Sequence, residues 1–164
     1  MKQMSFFEQQ EPPKIVAAIV EWHLFIDGAA RNNPGPAGAG IYIVKNGEPH
    51  SRHGFYLGTK TNNQAEYLAL VLGVCHAVEL MGKLDTLKIY SDSELLVRQI
   101  KGIYAVKNKE LRILHERAKT MLAPIKYSTH HILRERNAIA DALANHGIDK
   151  KIKVPEHLAH HCQL

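Results

Sequence analysis

The sequence lacks most features that would tie its folding to something other than a packed core. Two cysteines, Cys75 and Cys162, are too few for a disulfide framework. Cys75 falls within an apolar helical pattern and reads as a buried thiol, while Cys162, close to the end of the chain, reads as a loose one. Such sparse use suits a reducing compartment. No stretch approaches the ~20 consecutive apolar residues of a membrane span. The run Ile15 to Val20 is short, and no small-residue cleavage pattern follows it. The protein is therefore expected in the cytoplasm, with no membrane partner and as a monomer. Internal repeats and signs of a second domain are absent as well.

What is present is enough for one domain. The 164 residues are 45% hydrophobic, a normal fraction for a globular protein, and a chain of this size buries roughly two thirds of its unfolded surface. The formal net charge is +5, unevenly placed: residues 81–164 carry 15 basic against 9 acidic residues, residues 1–80 carry 6 against 7. A one-sided basic bias is compatible with a polyanionic partner without requiring one.

Hydrophobic periodicity predicts the element order strand, strand, strand, helix, strand, helix, helix, strand, helix. Residues 1–14, broken by Pro12-Pro13, form a flexible polar lead. Strands are expected over 22–27, 39–44 and 50–57, with Asn46-Gly47 as a hairpin turn. Three strands joined by short turns pair antiparallel. Leu68, Val71, Leu72, Cys75 and Val78 recur at helical spacing up to Met81-Gly82. A strand at about 86–90 follows, then helices at 95–100 and 108–122, a strand at 127–133, and a helix at 137–146 ended by Gly147. This order gives a mixed α/β fold, a central five-stranded sheet with helices on both faces. The domain is expected over 15–148, and residues 149–164 are a basic, then histidine-rich, C-terminal tail. His157, His160, His161 and Cys162 have zinc-ligand chemistry, but no second ligand pair adjoins them, so the tail reads as flexible and polar.

Four carboxylates stand in unusual company. Asp27 ends the apolar stretch Phe25-Ile26, and Asp92 follows the strand pattern Leu87 to Ser91. Glu66 adjoins the apolar Tyr67-Leu68, and Asp141 is the only charge between Ala138 and Ala144. Each has an ordinary explanation: a turn cap for Asp27, a helix N-cap for Asp92, a capping box with Asn63 for Glu66, and simple exposure for Asp141. Together they form an all-oxygen set suited to hard divalent cations such as Mg²⁺ or Mn²⁺. Two ions in one site can activate a water and stabilise a leaving oxygen. Without metal, four converging charges repel and raise some of their pKa values.

The same residues lie in motifs that resemble the ribonuclease H type 1 family. Ile26-Asp27-Gly28 comes with Asn33-Pro34-Gly35-Pro36, then Thr61-Asn62-Asn63-Gln64-Ala65-Glu66. Tyr90-Ser91-Asp92-Ser93 with Val97-Arg98-Gln99 follows, and Arg136 to Asp141 with Leu143-Ala144 closes the set, in family order over residues 22–147. The resemblance implies a ribonuclease H-like fold in which Asp27, Glu66, Asp92 and Asp141 ligate two Mg²⁺ or Mn²⁺ ions. It also implies hydrolysis of the RNA strand of an RNA–DNA hybrid, leaving 5′-phosphate and 3′-hydroxyl ends. Asn33, Asn62 and Gln64 resemble positions that meet the hybrid's minor groove, where amides can read the 2′-hydroxyl.

Two departures from the fuller family pattern stand out. No basic insertion lies between the second and third helices, where Lys101, Lys107 and Lys109 are a modest substitute. The loop before the last helix holds no histidine, and Glu135 is a weak candidate in its place. This compact form resembles members of which some also attack duplex RNA. The alternatives are thus a nuclease of this fold acting on duplex RNA or DNA, and a non-catalytic hybrid-binding module.

Overall fold

A computed structural model describes residues 16–164; the lead expected over residues 1–14 lies outside the described residues. Three strands, β1 (Glu21–Ala30), β2 (Gly35–Lys45) and β3 (Glu48–Lys60), form the antiparallel meander. They are followed by α1 (Asn62–Leu80), β4 (Thr86–Ser91), α2 (Glu94–Ile100), α3 (Lys109–Leu122) and β5 (Lys126–His131). A short 3-10 turn, Arg134–Asn137, leads into α4 (Ala138–Lys150), and α5 (Glu156–His161) closes the chain. The sheet order is β3-β2-β1-β4-β5, with β4 parallel to β1 and β5 parallel to β4. This is the mixed five-stranded sheet expected, with α1 and α3 on one face and α4 on the other.

The sheet's central strand explains the position of the first carboxylate. Leu24 and Ile26 are fully buried towards α1, where both approach Gly73. Asp27 therefore points to the opposite face, as strand alternation demands. Pairing of β1 with β4 ends at Phe25↔Tyr90, whereas pairing with β2 continues to Ala30↔Ala37. β1 thus runs three residues beyond Asp27, longer than the sequence pattern suggests, because β2 keeps supplying hydrogen-bond partners. Past Tyr90 the two parallel strands separate, and Asp27 and Asp92 emerge side by side at their C-terminal ends. Open sheets with parallel strands build sites at such a divergence.

Small residues set how closely the helices approach. A Cβ at Gly28 would fall inside the Ala65–Glu66 peptide of α1, and one at Gly40 would meet the Ala140 carbonyl of α4. Gly38 and Gly54 meet α4 in the same way at Ala144 and Leu143. Helix α4 lies directly on a glycine floor, which brings its Asp141 down to the sheet. Gly147, expected to end this helix, instead packs on the Phe55 backbone, and the helix runs on to Lys150 before Lys151 closes it in the left-handed conformation.

The C-terminal segment departs most from expectation. Residues 149–164 do not form a loose polar tail: Ile152 accepts a hydrogen bond from the Tyr56 amide at 2.6 Å, and α5 rests against α1. Leu158 and Cys162 both enter the hydrophobic core, so Cys162 is a buried thiol rather than a loose one. Two apolar side chains among polar neighbours are too little pattern for a sequence reading to recognise a packed helix.

Replacing Gly28 by Ala should cost about 1–3 kcal/mol through overpacking against α1, seen by calorimetry as a melting temperature lower by roughly 2–10 °C. An unchanged melting temperature would mean that α1 does not press on β1 as closely as described.

Candidate active site

The N-terminal turns of α1 free Glu66 for the site. Thr61 caps the helix: its hydroxyl accepts the Gln64 amide at 3.2 Å, and the Gln64 side chain accepts the Thr61 amide at 2.9 Å. The capping box is therefore Thr61 with Gln64, not Asn63 with Glu66, and Glu66 sits two residues further on with no capping duty. Its approach to Gly28 turns the carboxylate towards β1. At the end of β4, Ser91 accepts the Ser93 amide and Ser93 in turn caps α2 through Leu96. The capping role available to Asp92 is thus taken by Ser93, which leaves the Asp92 carboxylate available.

Asp27, Glu66 and Asp92 each offer a carboxylate oxygen within 4.8 Å of the others. Asp141, on the first turn of α4, lies against Asp27 from the other side. All four acidic residues singled out in the sequence line one open cleft of about 400 Å³, together with Arg134 and Asn62. Asp27 is only 5% exposed, and Glu66, Asp92 and Asp141 are half-buried. Burial is the main cause that pushes the Asp27 pKa up to about 8, with Asp92 and then Asp141 adding like-charge repulsion. Glu66 is also held well above the ordinary carboxylate range, again first by burial and then by Asp27 and Asp92, while the neighbouring Gly28 amide pulls the other way.

These carboxylates are not compensated by basic side chains. Two arginines line the cleft: Arg31 is paired with Asp149, and Arg134 has its Nη2 3.8 Å from Asp141 Oδ1 and a side chain 80% exposed. Such an exposed contact stabilises little. Among the described residues, Glu66 Oε2 is buried with no hydrogen-bond partner. An orphaned buried carboxylate oxygen facing other carboxylates fits a site meant for a divalent cation, since oxygen-only donors at partial burial are what Mg²⁺ and Mn²⁺ take.

Sequence reasoning missed the role of Asn137. In the sequence it stands within the motif before α4, with no feature that marks a function. Its side chain does not cap α4. Instead it is almost fully buried, donates to the Ile26 carbonyl at 2.8 Å and approaches Asp92 Oδ1 at 3.5 Å. Asn137 therefore ties the start of α4 to β1 between Asp27 and Asp92, as a positioning residue. The only sequence signal was an asparagine where a helix cap would ordinarily stand.

His131 adjoins the site through the Asp92 backbone, its Nε2 lying 3.3 Å from the Asp92 carbonyl. That contact supports the turn after β4. Glu135 is exposed within the 3-10 turn and does not line the cleft. Of the three amides, Asn33 accepts the Asn62 amide at 3.0 Å and Asn62 accepts the Ala30 amide at 3.2 Å. Both use their carbonyl oxygens, so their NH₂ groups remain available as donors. Gln64 donates to Glu110 at 2.6 Å, so its amide is engaged at both ends. Lys101, Lys107 and Lys109 are all exposed around the connection between α2 and α3.

A sheet of this order with carboxylates at its parallel divergence defines the ribonuclease H-like class of fold. Residues 25–147 match a family described as reverse transcriptase-like. The chain is 36% identical over 129 residues to ribonuclease HI of Halobacterium salinarum, covering 77% of this chain and 64% of that protein. The crystal structure of RNase H1 from the same archaeon superposes with a TM-score of 0.75 at 35% identity, covering 79% of this chain and 98% of the other. LC11-RNase H1, solved in complex with an RNA/DNA hybrid, gives a TM-score of 0.73 at 36% identity, covering 80% and 97%. The chain belongs to the ribonuclease H type 1 family. It spans 64% of the length of the Halobacterium relative and 34% of the bifunctional protein Rv2228c of Mycobacterium tuberculosis.

A carboxyl whose folded pKa is raised favours the folded state below its unfolded pKa, and that contribution is lost as pH rises through the folded value. Metal-free protein should therefore lose stability between about pH 4 and the raised Asp27 value of about 8. Asp27→Asn should melt close to the parent at pH 4 and higher by about 5 °C at pH 8. Thermal melts in chelator across this range measure it; parallel curves would contradict the crowding of charge.

Proposed function

We propose that this protein is a divalent-metal-dependent endonuclease that hydrolyses the RNA strand of RNA–DNA hybrids, leaving 5′-phosphate and 3′-hydroxyl ends. The observation that carries this reading is the convergence of Asp27, Glu66 and Asp92 within 4.8 Å, with Asp141 against Asp27, in an open cleft. Asp27, Glu66, Asp92 and Asp141 would together hold two Mg²⁺ or Mn²⁺ ions. Bound there, the ions supply the positive charge that polarises a phosphate and acidifies water.

The chain's own groups do the rest. Asp27 and Asp92 hold their positions through the Asn137 clamp on β1, so the site is preorganised before substrate arrives. Asn33 and Asn62 present NH₂ donors beside the cleft, suited to the 2′-hydroxyl of an RNA strand in the minor groove. Gln64 joins them once it releases Glu110. Such contacts select the sugar and leave the base sequence largely unread. Exposed Lys101, Lys107 and Lys109 take the place of a larger basic surface, so hybrid binding rests on few phosphate contacts.

The LC11 relative was solved with an RNA/DNA hybrid, which supports the substrate class for this chain. A second substrate, duplex RNA, is compatible with the same minor-groove recognition because both share A-form geometry. The reading places the protein in the cytoplasm as a monomer. Among the described residues no helix is long and apolar enough to cross a membrane. A non-catalytic binding role has no support, since all four acidic positions are occupied by acids in one place.

Asp27→Asn and Asp92→Asn should each lower Mg²⁺-dependent cleavage of a labelled hybrid by about 10³-fold or more, the several kcal/mol that metal-assisted stabilisation supplies. The fold should be retained by circular dichroism. Parallel digestion of hybrid, duplex RNA and duplex DNA by the parent protein ranks the substrates; unaltered turnover in either variant would overturn the assignment.

A further inference from the structure

The seam between α1 and α5 holds a second group of metal-ligating side chains, unlike the first in chemistry. Cys75 and Glu79 are one helical turn apart on α1 and so share a face. His161, the last residue of α5, comes up against them: the Cys75 sulfur, a Glu79 carboxylate oxygen and a His161 ring nitrogen lie within 4.8 Å of one another. Cys75 is buried, whereas Glu79 and His161 stand exposed at the rim beside it. Cys162, also buried and free, neighbours the Cys75 thiol. The group lies nine residues after Glu66, about 13 Å along the helix at its usual rise, and belongs to none of the cleft described above.

We propose that Cys75, Glu79 and His161 form a zinc site that fastens the C-terminal helix to α1. Sulfur, imidazole nitrogen and one carboxylate oxygen are the borderline donor set that Zn²⁺ takes, and a set that Mg²⁺ and Mn²⁺ pass over. Charge supports the match. A thiolate and a carboxylate bring two negative charges and a neutral imidazole brings none, so one Zn²⁺ leaves the seam neutral. Binding releases the thiol proton of Cys75 to solvent. Water at the exposed rim completes the fourth position, since Cys162 touches the Cys75 thiol but lies outside the mutually close group of three. The histidine-rich end of the chain thereby finds its second ligand pair 82 and 86 residues earlier, at Glu79 and Cys75, where sequence adjacency does not reveal it.

Cobalt and zinc titrations of the full, reduced chain in excess Mg²⁺ test this, Mg²⁺ keeping the carboxylate cleft filled. One equivalent of Co²⁺ should produce sulfur-to-cobalt charge-transfer absorption, removed by added Zn²⁺. Cys75→Ser should abolish that absorption. Because Cys75 is buried and its variant can misfold, the exposed replacements Glu79→Gln and His161→Ala are made in parallel. Each should weaken Co²⁺ binding by about 10-fold or more, at least the effect of losing an outer-shell partner. Zn²⁺ should also raise the melting temperature of the parent but not of His161→Ala. Absence of the sulfur-to-cobalt band in reduced protein, or unchanged affinity in both exposed variants, would overturn the proposal.

Discussion

Carboxylates forced together at the end of a sheet are the constraint on which the rest of this structure depends. Asp27 is nearly buried, Glu66 carries an orphaned oxygen, and of the two arginines lining the cleft one is paired with Asp149 and the other is exposed. Left alone, such a cluster costs stability, because burial and mutual repulsion both oppose ionisation. A fold that keeps it must over-determine each position. Here the glycine at 28 lets α1 close on β1, the glycine floor under α4 lowers Asp141, and Asn137 bridges β1 and Asp92. Divalent cations held there would offset the cost by supplying the missing positive charge, so stability and the proposed activity would share one set of residues.

The sheet topology is what makes this convergence possible. Antiparallel pairing with β2 continues along β1 after parallel pairing with β4 has stopped. That mismatch opens the sheet just where the two aspartates emerge. Helices from opposite faces then add one carboxylate each, Glu66 from α1 and Asp141 from α4. Of the basic residues in the second half of the chain, Arg134 reaches the rim of the site, and three others lie exposed at the connection between α2 and α3. They suit the polyanion's flanks rather than its reacting phosphate.

Much of this was legible in the sequence, for identifiable reasons. Among the described residues, period-2 and period-3.6 patterns marked the five strands and the helices α1 to α4, although α1 is buried all round from Tyr67 to Cys75 rather than on one face. An aspartate at an apolar strand's end, or alone in an alanine-rich helix, was conspicuous for want of polar company. Boundaries were harder: β1 extends past its apolar stretch because backbone pairing holds Gly28–Ala30 to Ala37–Ala39, whose small buried side chains give little apolar pattern. Gly147 misled because a glycine that ends helices also permits close packing, and here it does the second. The helix α5 was invisible since only Leu158 and Cys162 anchor it. Asn137 was overlooked because its clamp on Ile26 spans 111 residues of sequence, a relation no local pattern encodes.

The most direct test of the central claim is anomalous diffraction from crystals grown with Mn²⁺ and an uncleaved RNA–DNA hybrid. Two manganese peaks among Asp27, Glu66, Asp92 and Asp141, beside a phosphate of the RNA strand, are expected. Manganese found only elsewhere, or a hybrid lying away from this cleft, would contradict the account.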